Sequence, residues 1–185
     1  MKRLVIDTET TGLSPRFHKT LTVGMLLIDV ENGFLDILDS NHIFVRHEHY
    51  NPTPEAMAIS KIDLEKHHKI AIPPTKACTQ INHFIERNGL HDTTLVGHNY
   101  QFDKGFLGAL FNQGDTISKL HWRYDDTMWL WRNLQKAGSV PSDLRANLQT
   151  LADFFKIDYT RAHDALADCH ITAKKRFFSN HNLLS

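Results

Sequence analysis

The stretch from Leu4 to Leu13, Leu-Val-Ile-Asp-Thr-Glu-Thr-Thr-Gly-Leu, constrains this chain more than any other. Its apolar, β-branched start, Leu4 to Ile6, stops abruptly at polar residues, the pattern of a short buried strand. Asp7 and Glu9 follow on alternate positions, and residues two apart in an extended chain share a face. Two carboxylates therefore project together from a strand end. Like charges so close are costly unless something neutralises them. Gly12 is expected to permit a tight turn after them. The stretch reads as half of a site for a hard divalent cation, to be completed from elsewhere in the chain.

The chain beyond it is organised as an α/β fold. Arg3 to Ile6 is predicted as the first strand and Asp7 to His18 as a turn. Thr20 to Val30 is apolar and β-branched and predicts a second strand. Glu31-Asn32-Gly33 is a hairpin signal. Phe34 to Leu38 and Ile43 to Arg46 predict a return strand with a break near Ser40. Thr53 with Pro54 and Glu55 behind it marks the start of a short helix through Ile59. Pro73-Pro74 opens a helix to about Arg87, with Ala77, Ile81, Phe84 and Ile85 on one face and Asn88-Gly89 closing it. A strand over Thr93–Val96 precedes a helix over Phe102–Phe111. A strand over Trp122–Tyr124 precedes helices from about Thr127 to Gln135, Leu144 to Phe155 and Asp164 to Phe178. A β-meander followed by alternating helix and strand packs naturally as a mixed sheet with helices on its faces. Ligands of such sheets sit at the carboxyl ends of the central strands. Asp7/Glu9 and Gly97-His98-Asn99 both fall there.

Two later segments supply the partners. Asp103, in His98-Asn99-Tyr100-Gln101-Phe102-Asp103, falls in the first turn of a helix after a buried strand, where a carboxylate is also favoured by the helix dipole alone. His163 and Asp168 lie five residues apart, about 500° around a helix, and would not share a face if both were helical. The expectation is that His163 sits on the loop before the last helix and Asp168 on its inward face. The ordinary alternative is a capping histidine and an exposed acid. Asp7, Glu9, Asp103 and Asp168 together offer an all-oxygen ligand set, which suits two Mg²⁺ or Mn²⁺ ions and not zinc. Ions roughly 3.5–4 Å apart clamp both the attacking and the leaving oxygen of a phosphodiester. His163, with an unperturbed pKa near 6.5, suits the task of accepting a proton from water.

These three segments resemble the Exo I, Exo II and Exo III motifs of the DEDDh exonucleases, the DnaQ-like branch of the ribonuclease H-like superfamily. They read Asp7-Thr8-Glu9-Thr10-Thr11-Gly12-Leu13, His98-Asn99-Tyr100-Gln101-Phe102-Asp103 and His163-Asp164-Ala165-Leu166-Ala167-Asp168. Asp126-Thr127-Met128 and the Leu148 to Phe155 helix also resemble the family. The resemblance implies a ribonuclease H-like, five-stranded mixed sheet in a single domain over residues 1–185. It implies two-metal hydrolysis from 3′ ends, with Asp7, Glu9, Asp103 and Asp168 as metal ligands and His163 as general base. Thr8, Thr10, Leu13, Asn99 and Phe102 are the implied substrate-binding residues, core packing being the alternative for Leu13 and Phe102. The chain departs from the family at Ser60-Lys61, where His-Gly is frequent, and at Thr22, where Glu or Gln is common.

The expected activity is release of nucleoside 5′-monophosphates from single-stranded DNA or 3′ overhangs. The alternatives are a 3′–5′ exoribonuclease, a non-catalytic nucleic-acid-binding subunit, and a proofreading partner of a polymerase, which the short C-terminal tail disfavours. A homodimer is left open. With 21 basic and 21 acidic residues there is no bulk basic field, so a nucleic-acid partner must be held by local groups and metal. No apolar run has membrane-spanning length, and Cys78 and Cys169 are unpatterned, so a reduced, cytoplasmic setting is expected. Among the 13 histidines, the pairs His47/His49 and His67/His68 could read as a metal tract, but exposed, solvated side chains are expected there, because no Cys or third His completes a zinc pattern. Trp122, Tyr124, Trp129 and Trp131 are expected to pack as core, and Lys174-Lys175-Arg176 to form a solvated helix face.

Overall fold

In a computed structural model of the chain, residues 1–31, 34–158 and 163–181 are described, the side chains of the last segment through 174. The hairpin residues Asn32 and Gly33, and Lys175-Arg176 as side chains, lie outside the described residues. Strand β1 (Lys2–Thr10) runs through the middle of a mixed sheet that also contains β2 (Thr20–Glu31), β3 (Phe34–Phe44), β4 (Leu95–Gly97) and β5 (Tyr124–Asp126). The order is β3-β2-β1-β4-β5. β1–β2 and β2–β3 are antiparallel, and β1–β4 and β4–β5 are parallel. This is the five-stranded meander-then-parallel sheet that the family resemblance implies.

Alternation along β1 sorts its side chains. Leu4 and Ile6 join Val23, Met25, Leu27 and Ile43 in a core against α3 (Pro74–Arg87) and α4 (Tyr100–Gln113). Val5 faces the other way, with Leu26, Ile28, Val96 and residues Cys169 and Ala173 of α7 (Ala165–His181). Asp7 and Glu9 continue the Val5 face by twos, toward α7. The predicted α3 face holds: Ala77, Ile81, Phe84 and Ile85 are all fully buried.

Several boundaries differ from those expected. β1 continues to Thr10 instead of turning at Asp7, because β2 pairs with it as far as Glu9↔Thr22 and Thr10↔Thr20. The return strand is continuous, and its irregularity is a bulge opposite Leu27/Ile28. Gly12 does not have positive φ. A Cβ there would lie 2.4 Å from the His18 ring, so close packing and not turn conformation requires glycine. α1 (Pro54–Ser60) has the expected Thr53 cap. The helix after it, α2 (Leu64–Ile70), was not anticipated; Asp63 caps it, accepting from Glu65 N and Lys66 N. α5 (Thr127–Lys136) matches expectation, and α6 (Leu148–Phe154) starts later, at a cap supplied by Asn147.

His47 and His67 are buried, contrary to expectation, each with Nε2 against a backbone carbonyl, Thr20 O at 2.7 Å and Val45 O at 2.9 Å. The aromatic group also divides. Trp131 is core beside Phe154 and Phe155, and Tyr124 packs on Tyr100. Trp122 and Trp129 are 74% and 52% exposed. No helix among the described residues is long and apolar enough to cross a membrane.

Gly24 decides how closely α7 meets the sheet. It pairs with Asp7, and a Cβ on it would lie 2.4 Å from the backbone of Ala165. Gly24→Ala must push the first turn of α7 off the strand, since backbone atoms cannot swing aside. It is expected to cost about 1–3 kcal/mol and to reduce any activity that needs Asp168 beside Asp7. A Gly24→Ala protein with wild-type melting temperature and turnover would contradict this packing.

Candidate active site

The β1–β4 pairing ends at Val5↔Val96 and β4 itself at Gly97, so β1 runs on past it with no strand on that side. The N–H of Thr8 there is taken by a side chain instead: Asp103 Oδ1 accepts from Thr8 N at 2.9 Å and from Thr8 Oγ1 at 2.7 Å. Asp103 is in the first turn of α4 and is buried. The bond brings a helix acid to the strand that carries Asp7 and Glu9. Thr8 therefore positions Asp103 with its hydroxyl.

The start of α4 is held from the neighbouring strand. The Asp126 carboxylate accepts from Asn99 N at 3.0 Å, Tyr100 N at 2.9 Å and Met128 N at 2.9 Å. It caps two helices at once, and it lets Asn99 adopt a left-handed φ of 67° with no side-chain cap of its own. Sequence reasoning noted Asp126 only by resemblance; an acid just ahead of a helical run was a usable cap signal.

α7 supplies the rest. Asp164 caps it, with Oδ1 accepting from Ala167 N at 3.0 Å. His163 sits just before it, on the loop as expected, in a left-handed conformation with φ 67°. Its N–H donates to Asp168 Oδ2 at 3.3 Å. Asp168 is 5% exposed and is not the exposed acid of the alternative reading. One ligand atom from each of Glu9, His163 and Asp168 lies within 4.8 Å of the others.

Electrostatics tie Asp7 and Asp103 to the same centre. Burial first, then the charges of Asp103, Asp168 and Glu9, hold the Asp7 carboxyl well above its usual range. Glu9 is pushed up to about 8 by burial and by Asp168 and Asp103. Asp103 is raised to about 7, mainly by burial and against the hydrogen bonds from Thr8. Burial, and then the Lys61 ammonium, push His163 below its ordinary value. The Cys169 thiol is buried and raised further by Asp7 and Asp103, which makes it unreactive.

The implied substrate residues are distributed unevenly. Leu13 is 83% exposed, which removes core packing as its role. Phe102 is half-buried with its ring 4.8 Å from Phe106. Thr10 is buried and its hydroxyl donates to Gly12 O at 2.8 Å, so it can offer only a lone pair to a ligand. Lys61 is exposed, at φ 55° in the cap of α1. Thr22 pairs with Glu9 and is buried.

A family model described as Exonuclease (RNase_T) matches residues 4–175. The chain belongs to this exonuclease family. The DnaQ-like resemblance read from the three motifs therefore holds. The chain is 27% identical over 175 residues to the PolC-type DNA polymerase III of Thermotoga maritima, covering 92% of this chain and 11% of that protein. It is 27% identical over 118 residues to Ribonuclease T of Shewanella baltica, covering 60% of this chain and 53% of that one. It thus spans about half or less of these relatives. The fold matches E. coli Exonuclease I in complex with a dT13 oligonucleotide, with TM-score 0.79 and 17% identity over 97% of this chain and 41% of that one. A zinc-bound form of the E. coli enzyme with single-stranded DNA matches at TM-score 0.77 and 18% identity.

The donor set of this exonuclease-family site fits hard divalent cations: four carboxylates, three of them (Asp7, Glu9 and Asp103) with raised proton affinity, and one imidazole. Its stability should follow. At pH 6.5 the histidines that burial lowers are still about half protonated in the unfolded chain, and the loss of those protons offsets only part of the carboxylate effect as pH rises. From there to about pH 8, Glu9 and its neighbours still hold protons in the folded chain that the unfolded chain has lost. Metal-free protein should therefore lose roughly 2 kcal/mol across that window, or about 5 °C in melting temperature. Mg²⁺ or Mn²⁺ should restore it and chelation should abolish the gain. Melting curves at pH 6.5 and 8 that are superimposable with and without the ions would contradict the site.

Proposed function

We propose that residues 1–185 form one DnaQ-like domain that hydrolyses phosphodiester bonds from the 3′ ends of single-stranded DNA or 3′ overhangs, releasing nucleoside 5′-monophosphates. The observation that carries this reading is the convergence of Glu9, His163 and Asp168 within 4.8 Å beside the Asp7 and Asp103 carboxylates. Asp7, Glu9, Asp103 and Asp168 would hold two Mg²⁺ or Mn²⁺ ions. When bound, the ions would neutralise the phosphodiester and stabilise its attacking and leaving oxygens.

The residues of the chain do the remaining work. His163, kept neutral by its surroundings, accepts the proton of the attacking water. Its loop is tied to α7 through its own N–H and Asp168. Thr8 fixes the Asp103 carboxylate. Leu13 offers an exposed apolar wedge for the terminal base, and the Thr10 turn, Asn99 and Phe102 line the approach.

DNA is favoured because E. coli Exonuclease I, which shares the fold, was solved with dT13 and dA16 oligonucleotides. The similarity to Ribonuclease T supports the exoribonuclease reading as the second choice, and that to PolC-type polymerases a proofreading role. Five adjacent catalytic groups argue against a purely non-catalytic subunit. The two free, buried cysteines suit a reducing, cytoplasmic setting. The test is degradation of matched 5′-labelled DNA and RNA oligonucleotides with and without Mn²⁺. A Mn²⁺-dependent ladder shortening from the 3′ end is expected, faster on DNA. Cleavage of neither polymer would overturn the reading, and faster loss of RNA would replace its substrate.

A further inference from the structure

A second concave feature lies on the other side of α2. Lys66 and His67 of α2 line a hollow of about 260 Å³ together with Glu9 and His163. His68, next on the same helix, lines a larger cavity of about 550 Å³ with Lys19, Arg46, His47, His49 and one acid, Glu48. The Tyr50 ring bridges them, 6.0 Å from His67 and 5.9 Å from His68. In a chain with no net charge, this concentrates two permanent cations and three imidazoles around one acid. Among the described residues, neither Lys19 nor Arg46 forms an ion pair. Unpaired cations facing one hollow are poised for an anion.

Two details strengthen the match to phosphate. Pro73 and Pro74, at the start of the 14-residue α3, also line the cavity. That helix start has no side-chain cap and no acid in its first turn, so its positive dipole end adds to the field. His47 is 6% exposed and its Nε2 meets the Thr20 carbonyl. A carbonyl only accepts, so Nε2 carries the proton, and an arriving anion favours protonation of the ring at Nδ1 as well. The cavity also adjoins the turn that carries Leu13: Lys19 N donates to Thr11 Oγ1 at 2.8 Å.

We propose that this basic cavity is a second phosphate-binding site, which holds a phosphate of the nucleic-acid strand away from the bond being cut. The assignment of that phosphate to a strand rests on the nuclease reading above. Lys19 and Arg46 make the contacts, and the imidazoles of His47, His49 and His68 line the cavity beside them. A strand anchored at two points is retained between cuts, so the site acts on polymers and not on mononucleotide esters.

The test compares the wild type with the Lys19→Ala/Arg46→Ala double variant, both outside the catalytic group. Binding of a fluorescein-labelled thymidylate dodecamer is measured by anisotropy in EDTA, which separates it from hydrolysis. Hydrolysis of the p-nitrophenyl ester of thymidine 5′-phosphate is measured with Mn²⁺. The variant is expected to bind the dodecamer about tenfold more weakly, with a slope of log Kd against log salt reduced by about 1.4, the value for two contacts to a single strand. Its ester hydrolysis should equal that of the wild type. Equal dodecamer affinity and equal salt slope overturn the proposal. Melting with inorganic phosphate tests the other source: stabilisation of the wild type alone, with dodecamer binding unchanged in the variant, assigns the cavity to a free anion and overturns the strand assignment. A wild type that binds the dodecamer through Lys19 and Arg46 yet hydrolyses neither substrate supports the cavity and removes the nuclease reading. If the double variant does not fold, the exposed single change Arg46→Glu replaces it, with the same direction expected.

Discussion

Asp7→Asn should lower exonucleolytic hydrolysis by at least about 10³-fold while raising the melting temperature of the metal-free protein. The two effects share one cause. Asp7 stands on β1, where burial and then Asp103, Asp168 and Glu9 raise its proton affinity, so its charge is costly without cations and, in the proposed site, needed to hold them. Asparagine keeps the shape and one accepting oxygen, puts an NH2 donor in place of the other, and removes the charge. Several kcal/mol of transition-state stabilisation depend on such ions, and each 1.36 kcal/mol is about tenfold in rate. Relief of repulsion should be worth about 1 kcal/mol to the metal-free fold, or about 2–4 °C in a chain of this size. An end-labelled oligonucleotide assay and a thermal melt in EDTA measure both. A variant that turns over normally would refute the assignment of Asp7, and one that melts lower in EDTA would refute the repulsion argument.

His163→Asn should cost about 10²–10⁴ in rate and flatten the pH profile. Asparagine is the better replacement because the residue has φ 67°, a conformation that asparagine tolerates and alanine resists. In the proposed mechanism the base is the neutral imidazole. Burial and the nearby Lys61 ammonium lower its proton affinity, so the neutral form is present at lower pH than for a free histidine. The wild-type rate should accordingly rise with pH and reach its plateau through a midpoint below 6.5. A wild-type midpoint above that value, or an unchanged slope in His163→Asn, would assign the proton to another group.

The legibility of this site varied with the range of the interaction. Asp7 and Glu9 could be put on one face because strand alternation is local. The position of His163 on a loop followed from a helical-angle argument over five residues. Asp103 was legible only as an acid near a helix start; its partner, Thr8, is 95 residues away in sequence. α2 is not legible in the sequence although Asp63 and Glu65 carry a cap and first-turn signal, because seven residues give too little apolar periodicity. The burial of His47 and His67 is not legible in the sequence, because a lone histidine carries no pattern that reveals a buried carbonyl opposite it.

Local spacing and side-chain chemistry were enough to name the mixed sheet and the three acidic segments, since each depends on residues a few positions apart. The convergence itself was decided by packing. β4 stops at Gly97 and exposes the Thr8 N–H to Asp103, Asp126 reaches across from β5 to hold the start of α4, and Gly24 has no Cβ to keep α7 away from Asp7. None of these contacts has a signature in the neighbouring sequence, because each is a distance between segments brought together by burial of a common core.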